Sequence, residues 1–178
     1  FEVFPPKTDD KFEKVKFEDF LKAYEDSFGE VNEDYVRGIY NDIKLPQRAT
    51  SGSAGYDFYA PYDLRFENGR SILVPTGIRA EIDEGWVLNC YPRSGLGFKY
   101  KLRLNNTVGI IDSDYYYSDN GGHIFAKMEM TVPTNYAILT VGKGKAFMQG
   151  VFTPYGITYD DNVKTVRNGG FGSTDKKV

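Results

Sequence analysis

The chain is poor in the residues that build several common kinds of site. It has one cysteine, Cys90, among 178 residues. No disulfide can form within it, and a reducing, cytoplasmic location is expected. It has one histidine, His123. With one of each, a Cys/His zinc site is nearly excluded by count. No nucleophile motif accompanies His123 to build a Ser-His-Asp triad, so it is expected to be a strand or turn residue without a catalytic role. No apolar run reaches membrane-spanning length. The opening "FEVFPPKTDDK" lacks the form of a signal peptide, and with no initiator Met the native start is expected upstream. Net charge is only -3, with charged residues of both signs making up 26% of the chain. That leaves no electrostatic footprint for nucleic acid. Neither nucleic acid nor membrane is an expected partner. A polyanionic ligand would need local arginines, backbone amides or a metal, because bulk charge does not attract it.

What is present suits one soluble domain with a real core, hydrophobic residues making up 40%. Two one-faced helical patterns open the chain. In "FEDFLKAYEDSFG", Phe20, Leu21, Tyr24 and Phe28 recur at helical spacing and Gly29 is a natural stop; in "EDYVRGIYNDI", Tyr35, Val36, Ile39 and Tyr40 repeat the pattern. Residues 1–43 are therefore expected to form a helical N-terminal extension. From Lys44 the texture changes to short alternating apolar runs broken by turn signals, through to residue 166. "RFENGRSILV" carries an Asn68-Gly69 hairpin signal, "TGIRAEI" and "GWVLNCY" are joined by "DEG", and "AFMQGVFTPY" is a further strand. "HIFAKMEMTV" alternates, with Ile124, Ala126, Met128 and Met130 on one side. Many short strands with frequent glycine predict a mainly β sandwich, barrel or jelly roll. Residues 167–178, "RNGGFGSTDKKV", are too polar and glycine-rich for core. There is no internal repeat.

Residues 106–124, "NTVGIIDSDYYYSDNGGHI", run a short apolar strand into two aspartates and three tyrosines, and Asn120-Gly121 then turns the chain back. This is either a solvated loop or a pocket that needs one base and one flat ring. Elsewhere, "YPRSGLG" combines an arginine, a hydroxyl and free amides at a strand end, the chemistry of an anion cradle. The tail's Arg167, glycines, Phe171 and hydroxyls suit a lid over a phosphorylated flat ring. Each signal alone is weak, and "GSAGYD" is weaker still.

Taken together, "SAGYDF", "YPRSGLG", "NTVGIIDSDY", "GKAFMQ" and "GGFGST" occur in this order over residues 53–174. This closely resembles the five-motif signature of the all-β dUTP pyrophosphatases (dUTPases). The region before about residue 44 is not covered. The resemblance implies a β jelly-roll or distorted barrel and a homotrimer whose three active sites each draw on more than one subunit. It also implies Mg²⁺-dependent hydrolysis of dUTP to dUMP and pyrophosphate, which limits uracil in DNA and supplies dUMP for thymidylate synthesis.

Residue by residue, Asp112 matches the carboxylate that orients and deprotonates the attacking water, as an ionised acceptor can. Tyr115 matches the ring against the deoxyribose, which leaves no room for a 2′-hydroxyl. Asn106 matches a residue holding the uracil edge beside hairpin backbone groups, Gly109 among them. Fixed backbone groups reject cytosine by leaving polar atoms unpaired, and a tight hairpin has no volume for the thymine methyl. Arg93, Ser94 and Gly95 match phosphate-binding positions. Gln149 matches a glutamine near the α-phosphate and its water. Asp57 matches an aspartate supporting the phosphate and metal–water network, reaching the metal only through water. Arg167 and Phe171 match the lid, with Gly172, Ser173 and Thr174 adding amide and hydroxyl contacts. Asp114 is expected to shape the turn, and Tyr116 and Tyr117 have no transferable role. The sequence departs from the pattern in a tail spacing one residue shorter, in extra residues after Tyr115, and in Ala146 where Arg is common.

Three other readings compete. A dCTP deaminase shares the fold, but Asp112 followed by Tyr115, with the Phe171 lid, favours uracil-nucleotide hydrolysis. A dUTPase-like regulatory module would dock a protein partner through the N-terminal extension. A jelly-roll carbohydrate binder would use the aromatics and leave the ordered motifs unexplained.

Overall fold

A computed structural model of the chain describes residues 7–131, 135–165 and 167. The elements run β1 (Lys11–Lys14), α1 (Phe17–Phe28), α2 (Glu33–Asn41), β2 (Gln47–Arg48), β3 (Tyr56–Tyr59), β4 (Leu64–Glu67), β5 (Ser71–Pro75), β6 (Ile78–Glu81) and β7 (Trp86–Pro92). They continue α3 (Ser94–Tyr100), β8 (Leu102–Leu104), β9 (Gly109–Ile111), a 3₁₀ turn (Ser113–Tyr117), β10 (Phe125–Met130), β11 (Ile138–Val141) and β12 (Ala146–Pro154). A five-stranded sheet in the order β2-β3-β12-β7-β9 packs with a three-stranded sheet β5-β10-β8 and the pairs β4-β11 and β1-β6. Every ladder between these strands is antiparallel. The result is a distorted jelly roll rather than a closed barrel.

Period-two patterning builds the centre. Ile124, Ala126, Met128 and Met130 are all buried on one face of β10, as their alternation predicts. Gly150, in the middle of β12, sits between large side chains of the two strands that flank it, Leu88 of β7 and Phe58 of β3. A Cβ there would lie 2.8 Å from Leu88 Cδ1 and 3.1 Å from Phe58 Cε2.

The Asn68-Gly69 hairpin is not formed as a ladder. The turn exists, with Gly69 at φ 75 and Arg70 N donating to Glu67 O at 3.0 Å. However, β4 pairs with β11 and β5 with β10. The dipeptide specifies a local reversal, but burial of Leu64 and Phe66 sends β4 to a different partner. The turn is a corner between sheets.

The N-terminal segment contains both expected helices. Asn32 Oδ1 caps α2 by accepting from Tyr35 N at 3.0 Å. Gly29, at φ 83, ends α1 and donates to Glu25 O at 2.7 Å. The segment also holds a strand, since β1 pairs with β6 from Lys11↔Glu81 to Lys14↔Ile78. The helices are not set apart from the jelly roll. Phe17, Phe20 and Tyr24 of α1, and Val36 and Ile39 of α2, belong to the same buried core as Phe58, Phe66 and Met128. Each large apolar side chain buried here is worth about 1.5–3 kcal/mol, which is why one-faced helices this short hold their place.

Candidate active site

The expected site residues fall into two clusters. The first lies where β3, β12 and β7 run side by side. Asp57 pairs in register with Gln149, which pairs on its other side with Tyr91. Asp57 is buried, and its Oδ2 accepts from Arg93 Nη1 at 3.1 Å. Gln149 Nε2 reaches Pro92 O at 3.4 Å. A Cβ on Gly55 would lie 2.5 Å from Gln149 Oε1, so only glycine lets that side chain sit there. Arg93 is also the N-cap of α3, its carbonyl accepting from Leu96 N at 3.1 Å and Gly97 N at 3.0 Å. The first-turn amides of Ser94 and Gly95 thus have no partner carbonyl within the helix. A shallow pocket of about 320 Å³ is lined by Pro92, Arg93, Ser94, Gly97 and Phe98. Its lining brings together a guanidinium, a hydroxyl and the Ser94 amide, a composition that suits an anion.

The second cluster is the 3₁₀ turn after β9. Asp112 precedes it and accepts Tyr115 N on its carbonyl at 3.1 Å, leaving the carboxylate partly exposed. Arg167 Nη2 donates to Asp112 Oδ2 at 2.5 Å, and Arg167 Nε lies 3.4 Å from Asp114 Oδ1. Asp114 therefore faces the same guanidinium as Asp112, which its expected role in shaping the turn does not include. Tyr115 is buried, at 5% exposure. Its hydroxyl donates to His123 O at 2.7 Å and accepts from Asn120 Nδ2 at 2.8 Å. Burial raises its phenol pKa, with the Asn120 hydrogen bond and then Arg167 opposing, so it stays a neutral donor. Asn120 is held in turn by Ser118 Oγ and Gly122 N, at 2.7 and 3.2 Å from its Oδ1. The sequence signalled Asn120-Gly121 only as a turn, and the hold of Asn120 and His123 on Tyr115 was not visible in it.

The two clusters lie apart in one chain. β9 runs along β7 with Cys90↔Gly109 and Leu88↔Ile111. Arg93 is five residues beyond Leu88 in one direction, and Asp112 one residue beyond Ile111 in the other. At the rise of a strand this is on the order of 20 Å. Asn106 sits at the Arg93 end of β9, in the turn from β8. There its carbonyl accepts from Val108 N at 2.8 Å and Thr107 takes φ 69. At Gly109 a Cβ would lie 3.1 Å from Cys90 Cβ, so glycine also serves strand packing there. Phe171, Gly172, Ser173 and Thr174 lie outside the described residues.

Among the described residues, no group of three His, Cys, Asp or Glu could hold a metal ion, and Asp57 spends its carboxylate on Arg93. Mg²⁺ bound to a triphosphate needs few protein ligands and keeps several waters. This donor set fits a metal that would be held mainly by phosphate oxygens rather than by protein side chains. A larger cavity, about 1470 Å³, lies between α1, α2 and the sheets, with Tyr24, Phe28, Tyr62 and Asp19 among its walls. It contains none of the expected site residues.

The chain is thus a mainly β protein with an Arg93–Ser94 pocket at one end of a ladder and an Asp112–Tyr115 turn at the other. A sequence model described as dUTPase matches residues 41–174, and the chain belongs to the dUTPase family. It is 43% identical over 135 residues to the deoxyuridine 5′-triphosphate nucleotidohydrolase of Lactococcus lactis, an alignment covering 74% of this chain and 88% of that protein. It is 36% identical over 146 residues to the enzyme of the same name from Tolumonas auensis, covering 78% and 91%. The crystal structure of dUTPase from Streptococcus mutans superposes with a TM-score of 0.60 at 32% identity, covering 83% of this chain and 97% of that one.

Proposed function

We propose that this chain hydrolyses dUTP to dUMP and pyrophosphate with Mg²⁺, as a homotrimer whose active sites combine residues of neighbouring copies. The observation that carries the shared site is the separation of the Arg93 cluster from Asp112 along one ladder. A nucleoside triphosphate needs both, and a neighbouring copy supplies the missing half. The family's relatives, named for dUTP hydrolysis at 43% and 36% identity, support this reading over a dCTP deaminase.

The charges assign the roles. Asp112 can only accept hydrogen bonds when ionised, so it orients a water and takes its proton as the water oxygen attacks the α-phosphorus. The bond from that phosphorus to the bridging oxygen breaks, and pyrophosphate leaves. Arg93 and the amides of Ser94 and Gly95 stabilise the charge gathering on the leaving group. Gln149, beside them, holds the α-phosphate region. Mg²⁺, when bound, neutralises the triphosphate and fixes its geometry. Asn106 and the backbone around Gly109 read the uracil edge, and the Tyr115 ring lies against the deoxyribose. Arg167 supplies a further cation, and Phe171, with Gly172, Ser173 and Thr174, closes the site from the tail. No described helix is long and apolar enough to cross a membrane, and the substrate is a cytoplasmic nucleotide in this reading.

Pyrophosphate release with Mg²⁺ from dUTP, compared with dTTP, dCTP and UTP, is the test. Fast release from dUTP alone is expected. Ammonia release from dCTP would overturn the reading in favour of a deaminase.

A further inference from the structure

We propose that the N-terminal strand and first helix, Lys11–Phe28, brace the loop that carries Tyr115, and that Glu13 and His123 are positioning residues for its ring. This rests on the reading that Tyr115 meets the sugar.

The segment lies ahead of residue 41, where the family match begins, yet it holds the loop on both sides of Tyr115. On one side, Tyr116 Oη donates to Glu13 Oε2 of β1 at 2.7 Å. Glu13 is itself fixed by Arg79 at 2.8 Å, and the Arg79 guanidinium lies 4.3 Å above the Tyr116 ring. On the other side, α1 covers the end of the loop. A Cβ on Gly121 would lie 2.5 Å from Asp19 Oδ2. The Phe20 ring is 6.2 Å from the His123 ring, and Phe125 closes on that ring at 4.4 Å.

His123 is the joint of this arrangement. Its Nε2 accepts from Gly77 N at 2.9 Å in a buried setting, so that nitrogen carries no proton. Gly77 has φ 72, and a Cβ there would collide with Ile43 Cδ1 at 2.3 Å, with Phe20 next at 3.3 Å. The imidazole therefore ties the His123 main chain to a turn that the N-terminal segment closes over. That main-chain carbonyl receives the Tyr115 hydroxyl. The phenol already both donates and accepts, so ring placement follows His123 O and Asn120. A ring that rejects one hydroxyl by contact must be held to a fraction of an ångström. The brace supplies that hold.

The test compares kcat/KM for UTP and dUTP in full-length wild type, Tyr115→Ala, His123→Leu, His123→Gln, Tyr116→Phe and Glu13→Ala. Loss of one positioning hydrogen bond should raise the UTP/dUTP ratio about three- to tenfold in His123→Leu, Tyr116→Phe and Glu13→Ala. The dUTP KM should rise more than kcat falls. His123→Gln should restore the ratio, because its amide oxygen can accept from Gly77 N. An unmoved ratio in Tyr116→Phe and Glu13→Ala, while Tyr115→Ala shifts it, overturns the brace and leaves the sugar role standing. Tyr116 and Glu13 are both half-buried and outside the core cluster, so they decide the matter even if His123→Leu does not fold. A ratio raised equally in His123→Gln and His123→Leu overturns the Gly77 bond as the positioning contact. An unmoved ratio in Tyr115→Ala overturns the sugar role itself, and the brace's consequence with it.

Discussion

Arg167 grips Asp112, its Nη2 at 2.5 Å from one carboxylate oxygen, with Asp114 at 3.4 Å on its other flank. One oxygen of Asp112 is thus engaged by a cation, and the other remains to accept from a water. Asp112→Asn keeps the shape and removes the ability to take a proton. It is expected to bind a non-hydrolysable dUTP analogue normally and to lose about 10²–10⁴-fold in turnover. Titration calorimetry and pyrophosphate release measure the two separately, and near-wild-type turnover would refute the general-base role.

The spacing of Arg93 and Asp112 along β7 and β9 makes a second expectation. Arg93→Ala and Asp112→Asn should each be nearly inactive. Unfolded together in equal amounts and refolded, they should regain about a quarter of wild-type sites, because each site draws its two residues independently from two copies. Sites contained in one chain would regain nothing, since every chain carries a lesion.

His123 gives a pH dependence with a definite sign. Burial lowers its pKa from 6.5 to about 3. Between those values the unfolded chain binds a proton that the folded chain refuses, so stability is complete above pH 6.5 and falls as pH drops. From pH 7 to 5, wild type should lose on the order of 2 kcal/mol more than His123→Gln in urea unfolding at fixed protomer concentration. Glu13 and Glu129, whose pKa values are lowered by their hydrogen-bond partners, add losses only below the ordinary carboxylate range of about 4.5, outside this window. Equal losses in both proteins would show that the histidine is not neutral in the fold.

Gly150→Ala tests the packing at the centre of β12. A methyl placed 2.8 Å from Leu88 Cδ1 and 3.1 Å from Phe58 Cε2 overfills the core, at a cost of about 1–3 kcal/mol. A lowered melting temperature is expected, with reduced activity through the neighbouring Gln149. An unchanged melting temperature would mean that Leu88 yields freely.

Patterns within a few residues were readable from the sequence, and pairings between distant residues were not. The burial of Ile124, Ala126, Met128 and Met130 follows from period two, and Gly29 as the stop of α1 from its freedom at positive φ. Asn68-Gly69 marks a reversal, but nothing local says that β4 and β5 leave it for different sheets. The strand at Lys11–Lys14 was hidden because its partner, β6, is remote in the chain. In the site, the ordered motifs pointed to Asp57, Arg93, Asp112 and Gln149 by type, whereas register alone shows Asp112 at the far end of a ladder from the other three. Asn120 and His123 were read as turn residues because their grip on the Tyr115 hydroxyl depends on a carbonyl and a side-chain amide brought together by the loop.

The pairing of Lys11 with Glu81 also orders events in time. β1 has no ladder until β6 has been made, and the apolar faces of α1 and α2 have no floor until β5, β6 and β10 have assembled. Closing so long a loop is an entropic cost that local contacts cannot offset. On the ribosome, this segment emerges before its partner strands and is therefore among the last to dock, and Phe20, Val36 and Ile39 stay open to solvent and to chaperones until the chain behind them has folded.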